Sequence, residues 1–355
     1  MKFRGPIRFD DFSVDSDGSD DSGARAEEDL WFLPGPIEDG PELPPPGRRT
    51  DPGEASILAD WTQAEAGLAA RLARVAGRLG ALDDRLCRGP EGWRHRLALI
   101  EAAELSWFVG DRIAPDRLAL WVALRLSGVQ EDKAALARVG WAVRRLTGGP
   151  GPEAGLAEFL GRLDAGNPDG MADRFSDRAG AWDEMMDAAR ALHPISRACM
   201  GYHLWNLAGL SPHGDRMEAA LAAARIAAVE CRGAVFAPMA MGGAGGLRAG
   251  GPPAERLAAW LDGMTGAILR ATRQLDDIEA WAGRAEGAMA ALSGRTPRAL
   301  RAVLTEWPLV SAPIAEALTG ASRAAVQRNL AWMEAQGLIR EVTGQGRFRM
   351  WRATA

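Results

Sequence analysis

Near the C-terminal end, Arg323, Ala324, Gln327 and Arg328 fall at helical spacing, and Arg347 and Arg349 fall at strand spacing. A guanidinium donates to phosphate oxygens or to a guanine edge, and a carboxamide pairs with an adenine edge. At 100° per residue, Ala324, Gln327, Arg328 and Ala331 point away from the apolar stripe Val326, Leu330 and Met333. Small Ala324 lets a duplex approach, Gln327 and Arg328 reach base edges, and Arg323 flanks them toward phosphate. Arg347 and Arg349 share one face of a strand and suit backbone or minor-groove contacts.

These residues need a rigid mount, and the flanking sequence supplies one. Pro297 opens a helix that carries Leu300, Val303 and Leu304 and stops near Trp307-Pro308. Ser311 is an N-cap with Pro313 in the first turn, and Ala315 is small where two helices cross. Gly320 breaks the chain after Leu318, and Ser322 caps the next helix. Leu338–Thr343, the turn 344–346 and Arg347–Trp351 then predict a β-hairpin. Helix, Gly turn, second helix and hairpin predict a winged helix-turn-helix over 295–355, with Ser322, Arg323, Ala324, Gln327, Arg328, Arg347 and Arg349 facing double-stranded DNA.

Charge supports that placement. The 355-residue chain has a formal net charge of −5, but residues 295–355 hold nine Arg and four Glu, a local balance of +5. Only Lys2 and Lys133 are lysines, so arginine is abundant everywhere and only its balance against acids carries information.

Upstream, the chain predicts an all-helical body over 53–294 and hence a mainly α protein. Ile57, Trp61, Leu68, Leu72, Val75, Leu79 and Leu82 form one apolar stripe. Further helices are expected over 91–109, 115–126, 131–146, 217–236 and 254–292, with Pro and Gly punctuation at 148–152, 166–170 and 211–214. The tryptophans at 93, 107, 121, 141, 182, 205, 260 and 281 read as core. Met241–Pro253 is Gly-rich but follows no strand and lacks the phosphate-loop pattern, so a flexible connector is expected. Residues 1–52 read as an acidic, proline-rich tail, with nine acids between Asp10 and Asp29.

Other chemistry finds little footing. Cys199 and His203 lie four apart, with His193, His213 and Cys231 nearby, but no tight metal-ligand pair occurs, so neither metal nor cofactor is expected. Asp183, Glu184 and Asp187 are ordinary helix-surface carboxylates. Three scattered cysteines fit a reducing cytoplasm, and no signal peptide or membrane span is indicated.

Two stretches resemble the bacterial domain-of-unknown-function family 1612 with its C-terminal helix-turn-helix domain. They are Leu82–Leu97 with Ile100-Glu-Ala-Ala-Glu104, and Pro308–Leu318 with Glu341–Trp351. That resemblance covers about residue 53 onward and implies a helical body plus a DNA-binding domain, with no catalytic residues to carry over. A looser similarity is to Fic-type nucleotide transferases, whose loop is matched only by His193-Pro-Ile-Ser-Arg197, without its acid, glycines or asparagine.

The expectation is a cytoplasmic, sequence-specific DNA-binding transcriptional regulator. It would act as a homodimer, with a helical body that dimerises or senses a small-molecule effector. The alternatives are a degenerate Fic-like protein and a protein-binding adaptor. If the acidic tail competes with DNA for the basic end, deleting residues 1–52 tightens DNA binding, most at low salt, and a binding isotherm unchanged by the deletion contradicts this.

Overall fold

A computed structural model describes residues 53–124, 132–161, 171–211, 215–344 and 349–355. The acidic tail, the punctuation at 166–170, His213 and Arg347 lie outside the described residues. Thirteen α-helices and three short strands are present among those described. Two long helices, α1 (Glu54–Arg88) and α10 (Pro253–Ala288), form the spine. Arg71 pairs with Asp262, and Arg85 donates to Asp276 at 2.6 Å and to Glu279 at 2.7 Å. The equal offset of the first two pairs means that the helices run in the same direction. Val75, Leu79 and Leu82 from α1 are buried, as are Leu257, Trp260, Ile268, Leu275 and Trp281 from α10.

Around this pair stand α2 (Gly92–Val109), α3 (Pro115–Leu124), α4 (Lys133–Thr147), α5 (Leu156–Leu160), α6 (Met171–Ala188), α7 (Pro194–Ala208) and α8 (Met217–Ala227). Helix α8 is almost wholly buried, and its alanines allow close packing on α7. Arg225, which interrupts that apolar run, donates to the carbonyls of Arg145 (2.7 Å), Gly148 (3.0 Å) and Gly149 (3.1 Å), satisfying the end of α4. Of the tryptophans expected in the core, 93, 182, 205, 260 and 281 are buried and 121 and 141 are partly so. Trp107 is 55% exposed, with Arg112 over its ring, and is not core.

Two carboxylates, half-buried Asp83 and fully buried Glu101, explain the segment between α8 and α10, where the structure departs most from expectation. The helix expected to reach residue 236 ends at Ala227. Beyond it, Asp83 of α1 accepts the backbone N–H groups of Arg232, Gly233 (2.7 Å) and Ala234 (2.8 Å). These bonds hold the backbone against α1, where a Cβ on Gly233 would lie 2.5 Å from the Cys87 nitrogen. Burial raises the Asp83 pKa, but the three N–H groups outweigh it and hold the carboxyl below its usual value.

Glu101 of α2, with no exposure at all, does the same further along. It accepts from the N–H groups of Met239 (2.9 Å), Ala240 (2.7 Å) and Met241 (3.0 Å). The glycine-rich run that follows is therefore a packed element and not a flexible connector. It contains the short α9 (Gly245–Arg248), with Met241, Gly246 and Leu247 buried. A Cβ on Gly242 would sit 2.4 Å from the Ala267 nitrogen, and Gly246 lies against the backbone of α10 at Ala259 and Trp260. At Gly242 only glycine permits this approach.

The C-terminal part comprises α11 (Thr296–Glu306), β1 (Val310–Ser311), α12 (Ala312–Thr319), α13 (Arg323–Ala335), β2 (Ile339–Glu341) and β3 (Met350–Ala353). The strands form an antiparallel sheet in the order β1-β3-β2, with Val310 and Glu341 both opposite Trp351. Strand β1 joins the expected hairpin as a third strand. This part is fastened to the body. Arg96 of α2 donates to the carbonyls of Leu304, Thr305 and Trp307 at 3.0 to 3.3 Å, and the Trp281 indole donates to Leu338 at 2.7 Å. Asp116 of α3 accepts from Arg352 at 2.8 Å and Arg340 at 3.4 Å.

Burial pushes the Glu101 pKa from 4.5 up to about 7, against the pull of the three N–H groups and with a further push from Glu104. The unfolded chain thus loses this proton at lower pH than the folded one. The Glu101 contribution is complete below about pH 4.5 and is lost as pH rises to about 7, roughly 3 kcal/mol in all. His203, held down to about 4 by burial, works in the opposite sense. The expected observation is therefore a difference. In urea titrations from about pH 5 to about pH 8, wild type loses stability relative to Glu101→Gln as pH rises, and a pH-independent difference contradicts this.

Candidate nucleic-acid interface

The α12–α13 corner forms as its caps dictate. Ser311 Oγ accepts from the Ile314 N–H at 3.3 Å, and Ser322 Oγ accepts from the Ala325 N–H at 3.4 Å. Between them Gly320 sits at φ +64°, the left-handed conformation in which a glycine closes a helix. Val326, Leu330 and Met333 are buried under α13, and Ala315 of α12 has no exposure.

Ala324, Gln327, Arg328 and Ala331 lie exposed along one side of α13, with Arg323 exposed on its flank and Ser322 exposed at its N-cap. They are not equally available. Arg323 Nε donates to Glu316 of α12 at 3.0 Å. Gln327 and Arg328 engage no hydrogen bond or ion pair among the described residues. Arg349 is tied elsewhere, donating to Glu334 at 3.1 Å and lying over the Trp351 ring at 4.9 Å. The Trp351 indole donates to the same carboxylate at 3.2 Å. Glu334 is six residues beyond Arg328, about 9 Å along the axis, so Arg349 sits beside the far half of α13. Glu341 accepts the N–H groups of Thr343 (2.7 Å) and Gly344 and fixes the start of the turn.

The remaining candidates serve the helical body. His193 caps α7, its Nδ1 accepting from Ile195 N–H at 3.1 Å while its own N–H donates to Glu65 at 3.0 Å. Cys199 is fully buried, and burial pushes its thiol well above the usual value. His203 sits between the rings of Trp61 and Tyr202, and burial, with Arg256 and Arg216, lowers its pKa to about 4. Asp183 and Asp187 line a cleft of about 290 Å³ with Arg190 and Arg197, and Arg190 pairs with Asp187 at 2.7 Å.

Sequence reasoning missed Asp83, Arg96, Glu101 and Asp116. A signal was present for Glu101, which interrupts the otherwise apolar positions Leu97, Ala98, Ala102 and Leu105 of α2. The long-range partners of the other three leave no local mark. No protein-family model matches the chain, and comparison with curated proteins finds no match.

Proposed function

We propose that the chain is a sequence-specific DNA-binding protein, a transcriptional regulator of the cytoplasm. In this reading residues 295–355 act as a winged helix-turn-helix, and the body dimerises or senses a small molecule. Helix α13 is the reading element: Gln327 and Arg328 contact base edges while Ser322, Arg323 and Ala324 approach the backbone. Arg347 and Arg349 serve the hairpin wing. The observation that carries the reading is the exposed side of α13, where Gln327 and Arg328 stand with no described partner and no acid between them. A homodimer follows from the geometry of such motifs, which pair two recognition helices with two half-sites about one DNA turn apart.

Arg323 and Arg349 must exchange Glu316 and Glu334 for phosphate, so each contributes less than an unpaired arginine. Arg328 has no such exchange to make. Genomic mapping of bound sites followed by titration of the full chain tests this. Arg328→Ala relaxes preference at one base position at a cost of about 1–3 kcal/mol, whereas Arg347→Ala weakens all sequences alike and lowers the salt slope by about one. A full chain with no salt-dependent DNA affinity contradicts the proposal.

A further inference from the structure

The sequence scatters its three cysteines, at 87, 199 and 231, but the fold brings two of them to one place. Cys87 lies in the last turn of α1, one turn beyond Asp83 and on the same face. Asp83 Oδ1 accepts from the Arg232 nitrogen at 3.1 Å, and that nitrogen is two bonds from the Cys231 Cα. The Cys231 Cα therefore lies within about 5.5 Å of the Asp83 carboxylate. Gly233, two residues on, packs against Cys87 itself: a Cβ there would lie 2.9 Å from the Cys87 Sγ. Both thiols thus border the same contact between α1 and the irregular segment. A disulfide joins Cα atoms roughly 4.4–6.8 Å apart, which is the scale of that contact.

The two thiols are free but not equivalent. Cys87 is exposed, whereas Cys231 is half-buried against the core. Burial first, and then Asp83, Glu230 and Cys87, push the Cys231 thiol up to about 11. Cys87 is therefore near enough to act on it through its charge. Cys231 stays protonated near neutral pH, so Cys87 meets an oxidant first. Cys199 is fully buried in α7 and takes no part.

We infer that Cys87 and Cys231 form an oxidation site, which a peroxide joins into an intramolecular disulfide that fastens residue 231 to α1. The Cys87 thiolate attacks the O–O bond, takes one oxygen as a sulfenic acid and releases hydroxide, which recovers a proton as water. The Cys231 sulfur then displaces the sulfenic oxygen from Cys87, and its own proton leaves with that oxygen as the second water. Two thiols and one peroxide give one disulfide and two waters. A small cellular thiol reverses the bond by exchange at the exposed Cys87 sulfur. The disulfide adds a covalent tie where Asp83 holds the segment by hydrogen bonds. Neither thiol lies on α13, so the site is independent of the function proposed above.

The test treats the native full chain with hydrogen peroxide and maps its peptides by mass spectrometry without reduction. The expected product is lighter by two hydrogens, carries Cys87 linked to Cys231, keeps Cys199 free and reverts with dithiothreitol. In Cys231→Ser, Cys87 stops at a sulfenic acid that dimedone traps, and thermal melts report that the variant is folded. Cys87→Ser, at an exposed position, blocks the same link from the other side. Because the link closes a loop of about 140 residues, the oxidised chain also unfolds at higher urea concentration than the reduced one. Three results overturn the site: an acid of Cys87 in the wild type with Cys231 still free, a link between two chains through Cys87, or a urea midpoint that does not rise on oxidation.

Discussion

A carboxylate without solvent, carrying three main-chain N–H groups, sets the arrangement on which the rest depends. Burying a charge is costly unless it is hydrogen-bonded, and an N–H group buried without an acceptor is costly too. At Glu101 each need answers the other. Asp83 repeats the solution seven residues earlier in the same segment. Between them the two side chains bind one irregular stretch to α1 and α2. That stretch then lies against α10 through Gly242, where no larger residue fits, and through the close approach of Gly246.

The same spine reaches the C-terminal part. Helix α10 holds the Gly-rich segment along its first half and presents Trp281 to Leu338 near its end. Helix α2 holds that segment through Glu101 and caps α11 through Arg96. Elements that fix the body thus also fix the corner that carries Gln327 and Arg328. The α12–α13 corner is thus bonded to the body through α2, α3 and α10. Charge is managed with similar economy: Glu316 and Glu334 each hold an arginine of the C-terminal part, so the cation left standing on α13 is Arg328.

Much of this was legible locally. The spacing of Trp61, Leu72, Val75, Leu79 and Leu82 predicts α1, and Ser311, Gly320 and Ser322 mark the α12–α13 corner to the residue, because caps and glycine turns act over a few positions. What failed depended on partners far away in sequence. The periodicity of 217–236 continues past Ala227, yet Asp83, about 150 residues earlier, supplies acceptors that a helix there could not use. Strand β1 is two residues long beside a proline and shows itself only through its pairing with β3. Arg349 looks free in sequence, while Glu334, fifteen residues away, holds it. Trp107 repeats the pattern of its buried neighbours but lies on the outer side of α2.

The central claim is that the carboxylates of Asp83 and Glu101 fix residues 233–241 against the helical body. Amide hydrogen exchange of the full chain tests it most directly, since it reads the opening free energy of each N–H. The account predicts that the amides of Gly233, Ala234, Met239, Ala240 and Met241 exchange as slowly as those at the centre of α10, and that Glu101→Ala selectively releases the last three. Rapid exchange of these amides in the native chain, at the rate of an open loop, would contradict it.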